Sequence, residues 1–161
     1  MLILGIDPGI AITGFAIIEK IGHRHQHIEC GAFLTPSQDP LPRRLHSLYQ
    51  QLSQIIEKHQ PETLAIEQLF FNKNVKTALT VGHARGVVLL CAESFNIPIF
   101  HYTPSEVKLA VCGYGKADKK QVQYMVKTLL NLDRPPKPDD VADACAIAIC
   151  HSHSFKLKSL A

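Results

Sequence analysis

An uninterrupted apolar run near the start of the chain restricts its possible folds more than any other feature of the sequence. Residues 2–6 carry no polar side chain, and Asp7-Pro-Gly ends the run. A short run of this kind is typical of a central strand that is covered on both faces, and Pro-Gly is typical of the turn that follows it. The first strand is therefore predicted to end on a carboxylate at the edge of a buried sheet.

The rest of the chain predicts an α/β fold. Two further strands, 13–19 and 28–35, would complete a meander, and later strands are predicted at 64–67 and 97–101. Helices are predicted at 45–56, 75–94 and 104–111, from Asp118 to Leu129, and finally to about residue 153. We expect a mixed five-stranded sheet flanked by helices, in a single domain (1–153) followed by a short tail (154–161).

Cysteine usage and the absence of long apolar runs bear on where the protein works. The five cysteines are an odd number with no CxxC spacing, which indicates free thiols rather than a disulfide framework. The first residues lack the basic leader of a signal peptide, and no apolar run approaches the roughly 18 residues of a membrane span. We expect a soluble, cytoplasmic protein.

Four acids stand where acids are unusual. Glu67 ends a predicted strand, as Asp7 does, and a carboxylate at such a place is costly to desolvate unless a cation or hydrogen bonds compensate. Asp140 and Asp143 are three residues apart in an apolar helix and share one face. Simpler interpretations stay open for three of the acids. Asp7 would only cap the Pro-Gly turn, and Glu67 would only mark the end of its strand. Asp140 would only interact favourably with the helix dipole in the first turn. The dipole does not account for Asp143, one turn deeper.

A cluster of carboxylates suits a hard divalent cation. Mg²⁺ prefers oxygen ligands, and two ions about 4 Å apart can activate a water and stabilise a leaving oxygen at a phosphorus. The sequence contains no P-loop, GxSxG, HExxH or dinucleotide-binding motif that would indicate a different catalytic chemistry. Nine histidines do not form a zinc ligand set with the cysteines. We predict Mg²⁺ on Asp7, Glu67, Asp140 and Asp143, two ions per subunit, with Mn²⁺ able to substitute.

The distribution of charge favours a nucleic-acid substrate more than the net charge does. The formal net charge is only +3, but residues 73–127 hold eight lysines and arginines against three acids. Acids gathered on a basic background suit a metal ion together with a phosphodiester. A solvated basic face is the alternative that charge alone leaves open.

Ordered motifs run through nearly the whole chain. They are Gly5-Ile-Asp-Pro-Gly9 with Thr13-Gly14, Ala65-Ile-Glu-Gln-Leu-Phe-Phe-Asn72, Ala84-Arg-Gly86, Gly115-Lys-Ala117 with Lys119-Lys-Gln-Val122, and Asp140-Val-Ala-Asp-Ala144. With these motifs the chain resembles the RuvC family of bacterial Holliday-junction resolvases, in the ribonuclease H-like superfamily. The resemblance implies a ribonuclease H-like fold and a homodimer that cuts two opposed strands of four-way junction DNA with Mg²⁺. It also implies 5′-phosphate and 3′-hydroxyl ends, a branch-migration motor complex as partner, and catalysis by the four acids.

Eight residues are predicted to contact DNA. They are Phe70, Phe71, Lys73, Arg85, Lys108, Lys116, Lys119 and Lys120. The family places an aromatic ring at the position of Phe70, where stacking on an unstacked base is worth about 1–3 kcal/mol. Core packing stays open for both phenylalanines, and a solvated helix start stays open for the lysines.

Small residues recur every four positions on the long predicted helix, at Ala78, Gly82 and Gly86. Such a face lets another backbone approach closely, either the chain's own sheet or a second subunit. The resemblance favours a dimer contact along this helix.

Three other classes of protein fit less well. Sugar kinases and actin-like ATPases open with a similar motif but need two such domains, more than 161 residues allow. A small ribonuclease H-like nuclease of ribosomal RNA precursors would share the first motif and lack both the Phe-Phe-Asn segment and the 108–125 block. A protein that binds junctions without cutting them gains nothing from acids placed near phosphate.

Overall fold

The computed structural model describes the backbone of residues 1–68 and 75–158, and the side chains of residues 1–68 and 78–155. The strands are β1 (Leu2–Asp7), β2 (Ile12–Ile21), β3 (Arg24–Leu34), β4 (Thr63–Glu67) and β5 (Ile99–Tyr102). The helices are α1 (Leu41–His59), α2 (Val75–Ser94), α3 (Pro104–Cys112), α4 (Lys119–Leu129) and α5 (Asp139–Lys158).

The strands form one five-stranded sheet in the order β3-β2-β1-β4-β5, which confirms the predicted mixed sheet. The β1, β2 and β3 strands form an antiparallel meander, and β4 and β5 run parallel to β1. A parallel connection needs a crossover, and α1 and α2 supply the two that lead to β4 and β5.

Separate hydrophobic clusters cover the two faces of the sheet. On one face, Ile3 of β1 packs in a cluster with residues of α3, α4 and α5. On the other face, Leu4 and Ile6 pack with residues of α1 and α2. Successive side chains of a strand point to opposite faces, so a strand covered on both sides must be apolar throughout. This explains the unbroken apolar run of β1.

Helix α5 lies very close to the sheet because two glycines leave room for its backbone. A Cβ at Gly5 of β1 would collide with the backbone oxygen of Ala144, and a Cβ at Gly14 of β2 would collide with that of Asp140. Ala144 and Ala148 are the helix residues that lie against Gly5. The glycines therefore fix where the beginning of α5 rests on β1 and β2.

Several boundaries differ from those predicted. The hairpin strands β2 and β3 extend to Ile21 and from Arg24, because their polar outer ends still pair around a tight turn at Gly22 (φ +61°). Helix α5 continues to Lys158, so residues 154–158 belong to the helix and not to the predicted tail. Phe155 packs there with its ring 5.5 Å from Phe100 and 5.3 Å from His151. No helix in the described ranges is long and apolar enough to cross a membrane.

The two helix starts predicted from capping residues are confirmed. The side chains of Thr103 and Asp118 each accept a hydrogen bond from the backbone N–H three residues later. The side-chain oxygens of Glu106 and Gln121 in turn accept a hydrogen bond from the backbone N–H of the cap residue. These capping boxes position α3 and α4 beside the carboxyl-terminal edge of the parallel strands.

Candidate active site

Asp7 and Glu67 lie side by side at the ends of neighbouring parallel strands. The register pairs Ile6 of β1 with Ile66 of β4, and each acid is the last residue of its strand. The carboxyl ends of parallel strands meet at one edge of a sheet, where α/β proteins bind ligands. The fold therefore brings together the two acids that end predicted strands.

The beginning of α5 brings the other two acids to the same edge. Asp7 pairs across the sheet with Gly14 of β2, and the missing side chain at Gly14 admits the α5 backbone at Asp140. Both Asp140 and Asp143 then lie close enough to act electrostatically on Asp7. Asp7 therefore lies within electrostatic range of the other three acids that the sequence singled out.

Burial and mutual repulsion raise the proton affinity of this cluster. The pKa of Asp7 rises to about 7, first because the carboxyl is buried and then because Asp143, Glu67 and Asp140 repel its charge. Burial, followed by the charge of Asp143, raises the pKa of Glu67. Burial also raises the pKa of Asp143, although Lys119 partly offsets it. The protein thus holds more negative charge here than its own cations neutralise.

The cluster is open and not a closed cage. Over residues 1–68 and 78–155, no three acidic, histidine or cysteine side chains stand close enough together to hold a metal ion as they are placed. Repulsion between unneutralised carboxylates favours such a spread arrangement. The donors are all carboxylate oxygens, the ligand type that hard cations with several retained waters prefer.

A cavity of about 220 Å³ opens beside the acids. Two acids and two lysines face it, and the remaining wall is mostly apolar. Its lining consists of Glu67, Asp143, Lys108, Lys119, Pro104, Val107, Val122, Ala146 and Ile147. Opposite charges on an apolar wall suit a ligand that carries an anionic group and meets a cation.

Comparison with known proteins agrees with the motifs and the fold. A family model described as crossover junction endodeoxyribonuclease RuvC matches residues 3–151. Proteins of that name from Alkaliphilus oremlandii and Desulforamulus reducens are 57% and 58% identical to the chain. The matches cover 98% and 94% of this chain, and 100% and 93% of those proteins. The chain belongs to the RuvC family.

The likeness of the fold is equally complete. The structure of Thermus thermophilus RuvC in complex with Holliday junction substrate superposes with a TM-score of 0.94 at 32% identity, over 99% of this chain and 97% of that one. The resemblance drawn from the motifs and the predicted ribonuclease H-like architecture are both confirmed.

In this RuvC-family chain, an acid that sequence reasoning missed holds Lys119. The Lys119 Nζ lies 3.1 Å from Oδ2 of Asp139 and 3.8 Å from Oδ2 of Asp143. Gln123 and Lys137 also donate to Asp139, at 2.9 and 3.4 Å. The sequence shows only that Asp139 and Asp140 are adjacent. It does not indicate which of the two faces the site and which forms an ion pair with Lys119.

Arg85 is engaged with the protein itself. Its guanidinium donates to the backbone oxygen of Glu67, and a second nitrogen lies 2.6 Å from Nδ1 of His101. Arg85 is half-buried, and these bonds fasten α2 to the end of β4. The predicted DNA contact at this position is therefore also a support of Glu67, which its sequence motif did not indicate.

The other predicted DNA contacts fall into two groups. Lys108 is half-buried at the cavity, whereas Lys116, Lys119 and Lys120 are exposed around the start of α4. Phe70, Phe71 and Lys73 lie outside the described residues.

The small-residue face of α2 does not pack on the described part of this chain. A Cβ built at Gly82 or at Gly86 meets no described atom within 4 Å. Leu79 and Leu90, on the same stripe of the helix, are 61% and 62% exposed. Of the two alternatives left open by the sequence, burial against the chain's own sheet does not apply at these glycines.

Proposed function

We propose that this chain is a DNA endonuclease that resolves Holliday junctions by paired, metal-dependent hydrolysis of phosphodiester bonds. The observation that carries the proposal is the convergence of Asp7, Glu67, Asp140 and Asp143 beside a cavity that two lysines line. Membership of the RuvC family gives the substrate class, since its relatives are named crossover junction endodeoxyribonucleases.

The donor set fits Mg²⁺. Asp7, Glu67, Asp140 and Asp143 would hold the ion through carboxylate oxygens. The pKa of Asp7 is raised by burial and then by the charges of the other three acids, and a divalent cation would offset both effects. When bound, such an ion supplies Lewis-acid activation of water and of the phosphate. We propose two ions per subunit, with Mn²⁺ able to substitute.

The lysines of the site have a distinct task. Lys108 and Lys119 line the cavity together with Glu67 and Asp143, so a phosphate bound there meets both positive charges. Negative charge on the phosphate oxygens grows in the transition state, and a cation already in place stabilises it without reorganisation. The ion pair of Lys119 with Asp139 keeps its ammonium at the mouth of the site. Cleavage of the bond to the 3′ oxygen would leave 5′-phosphate and 3′-hydroxyl ends.

We further propose a two-fold dimer that assembles through α2. The stripe of Leu79, Gly82, Gly86 and Leu90 combines exposed leucines with glycines that leave room for a second backbone. A two-fold dimer presents two identical sites to the two symmetry-related strands of a junction. A branch-migration motor complex as partner and a cytoplasmic location complete the proposal.

The test is cleavage in Mg²⁺ of three substrates: a four-way DNA junction, a linear duplex of the same sequence and a structured RNA. We expect the junction alone to be cut efficiently. The Glu67→Gln variant should bind the junction and not cut it, whereas Glu57→Gln, a change at an exposed glutamate of α1, should cut normally. Preferred cleavage of the RNA would favour a ribosomal RNA nuclease, and junction binding without cleavage would favour a non-enzymatic binder.

A further inference from the structure

A buried polar network joins α5 to the parallel strands β4 and β5. The hydroxyl of Tyr102, the last residue of β5, lies 2.7 Å from Nδ1 of His151 on α5. Nε2 of the same imidazole lies 3.0 Å from the hydroxyl of Thr63, the first residue of β4. Tyr102 and His151 are wholly buried, and Thr63 is nearly so. None of the three residues was predicted to belong to the site.

The network fixes the imidazole ring of His151 both in its plane and across it. A neutral imidazole has one donor nitrogen and one acceptor nitrogen, and here each nitrogen has a hydroxyl partner. The ring also packs against Phe100 and Phe155, at centroid distances of 4.7 and 5.3 Å. A buried polar group that loses its partner is costly, so the ring cannot leave this position without penalty. Helix α5 is therefore held against the strands at this point.

Tyr102 connects the network to two groups of the proposed site. It pairs in register with Glu67, and its backbone oxygen accepts a hydrogen bond of 2.7 Å from the backbone N–H of Gln68. The next residue, Thr103, caps α3, the helix that carries Lys108 of the cavity wall. A shift of Tyr102 would therefore move both Glu67 and Lys108.

Helix α5 connects the network to another part of the cavity wall. His151 follows Asp143 by eight residues, about two helical turns, in the same helix. Close packing on glycines sets how near the beginning of α5 lies to β1 and β2, and His151 ties a later turn to β4 and β5. The hydrogen bond between His151 and Tyr102 thus joins the helix of Asp143 to the strand beside Glu67. Both of these acids line the cavity.

The spacing of the carboxylates matters because Mg²⁺ tolerates little error in its ligands. The ion demands near-ideal octahedral geometry, with ligand distances of about 2.0–2.1 Å. Functional sites in general need their groups held within about 0.5 Å of the productive geometry. A hydrogen bond between α5 and β5 restrains the distance between two elements that carry or adjoin the acids. Its loss would let the helix and the strand relax apart.

We propose that Tyr102 and His151 are positioning residues whose hydrogen bond sets the spacing between Glu67 and Asp143, and through it the affinity of the site for a divalent cation. Both residues act through the elements that carry the acids and not by contact with the substrate. The inference rests on the proposed function of the acids. It goes beyond that function because it assigns a role to two buried side chains outside the cavity.

The test compares Tyr102→Phe with the wild type, since this change keeps the buried ring and removes only the hydroxyl. Binding of Mn²⁺ to the full-length chain without DNA is measured by calorimetry. Cleavage of a four-way junction is measured in single turnover against Mg²⁺ concentration. We expect Tyr102→Phe to bind Mn²⁺ about three- to tenfold more weakly, less than loss of a direct hydrogen bond to a metal ligand would cause. The Mg²⁺ concentration for half-maximal cleavage should rise in proportion, while junction binding in EDTA stays unchanged.

Two control variants separate positioning from stability. Ile56→Val shortens a buried side chain of α1 in the cluster on the opposite face of the sheet, and Tyr49→Phe removes a hydroxyl from the same helix. Ile56→Val should lower Tm, and both variants should bind Mn²⁺ and depend on Mg²⁺ as the wild type does. If Ile56→Val lost as much metal affinity as Tyr102→Phe, lowered stability alone would explain the effect and the proposal would fall.

His151→Leu and the double variant with Tyr102→Phe test the hydrogen bond itself. If both residues act through one bond, the double variant should bind Mn²⁺ no more weakly than the weaker single variant. Independent effects that multiply would overturn the proposal, as would wild-type Mn²⁺ affinity in Tyr102→Phe. Tyr102→Phe alone decides the question should His151→Leu not fold. A wild-type chain that neither binds Mn²⁺ nor cuts the junction would refute the proposed function, and this inference with it.

Discussion

The carboxylate cluster should destabilise the metal-free protein, and Asp7→Asn should relieve that cost. The pKa of Asp7 rises from 3.8 to about 7 in the folded chain, chiefly through burial. A group whose pKa is raised by folding holds its proton more tightly in the folded state, so its contribution is lost as pH rises from about 4 to about 7. Above that window the ionised carboxylate opposes folding.

The size of the effect follows from the same shift. One unit of pKa corresponds to about 1.4 kcal/mol, so a shift of roughly three units costs about 2–4 kcal/mol after allowance for relaxation of the site. In the presence of EDTA at pH 8, Asp7→Asn should raise the free energy of unfolding by about this amount and Tm by roughly 5–15 °C. The gain should shrink toward zero as the pH is lowered to about 4.

Thermal and urea unfolding across this pH range measures the difference. Asp133→Asn, at an exposed aspartate in the loop before α5, is the matched control and should change little at any pH. Millimolar Mg²⁺ should stabilise the wild type and leave Asp7→Asn nearly unchanged, which reverses the order of the two proteins. A destabilised Asp7→Asn in EDTA, or a gain that does not vary with pH, would refute the reasoning.

Three further predictions concern the lysines, Arg85 and the dimer. Lys119→Ala should lose about a hundredfold in single-turnover cleavage at saturating enzyme, whereas the exposed neighbour Lys120→Ala should lose only salt-dependent affinity; full rescue of Lys119→Ala by excess enzyme would make it a simple backbone contact. Arg85→Lys keeps the charge but not the planar fork that reaches Glu67 and His101, so cleavage should fall while junction binding and its salt dependence stay unchanged; weaker binding with intact turnover would make Arg85 a DNA contact. Leu90→Asp should reduce the sedimentation mass from twice 17.9 kDa to a single chain, and change cruciform plasmid products from linear to nicked. Leu34→Asp, at a leucine of matching exposure, should remain a dimer; a dimeric Leu90→Asp would place the interface elsewhere.

The sequence predicted the features of this structure that depend on residues close together in the chain. The apolar run of residues 2–6 predicted a central strand because burial on both faces leaves no polar position. Thr103 and Asp118 predicted helix starts because their side chains satisfy free backbone N–H groups within four residues. The four acids could be assigned to one site from the sequence because Asp7 and Glu67 end predicted strands, and Asp140 and Asp143 share one face of a predicted helix.

Contacts between distant segments could not be predicted in this way. Asp139 and Asp140 are adjacent and chemically identical, and only the seating of α5 on Gly14 decides that Asp139 binds Lys119. The support of Glu67 by Arg85 depends on where α2 crosses the end of β4.

The central claim is that the acids on α5 belong to the catalytic site and do not merely stabilise the start of a helix. The most direct measurement is Mg²⁺-dependent cleavage of a four-way junction by Asp143→Asn, with junction binding and Tm recorded on the same protein and Asp133→Asn as the control. We predict a loss of cleavage of about a hundredfold or more, with binding retained and Tm unchanged or raised. Normal cleavage by Asp143→Asn with a lowered Tm would contradict the account.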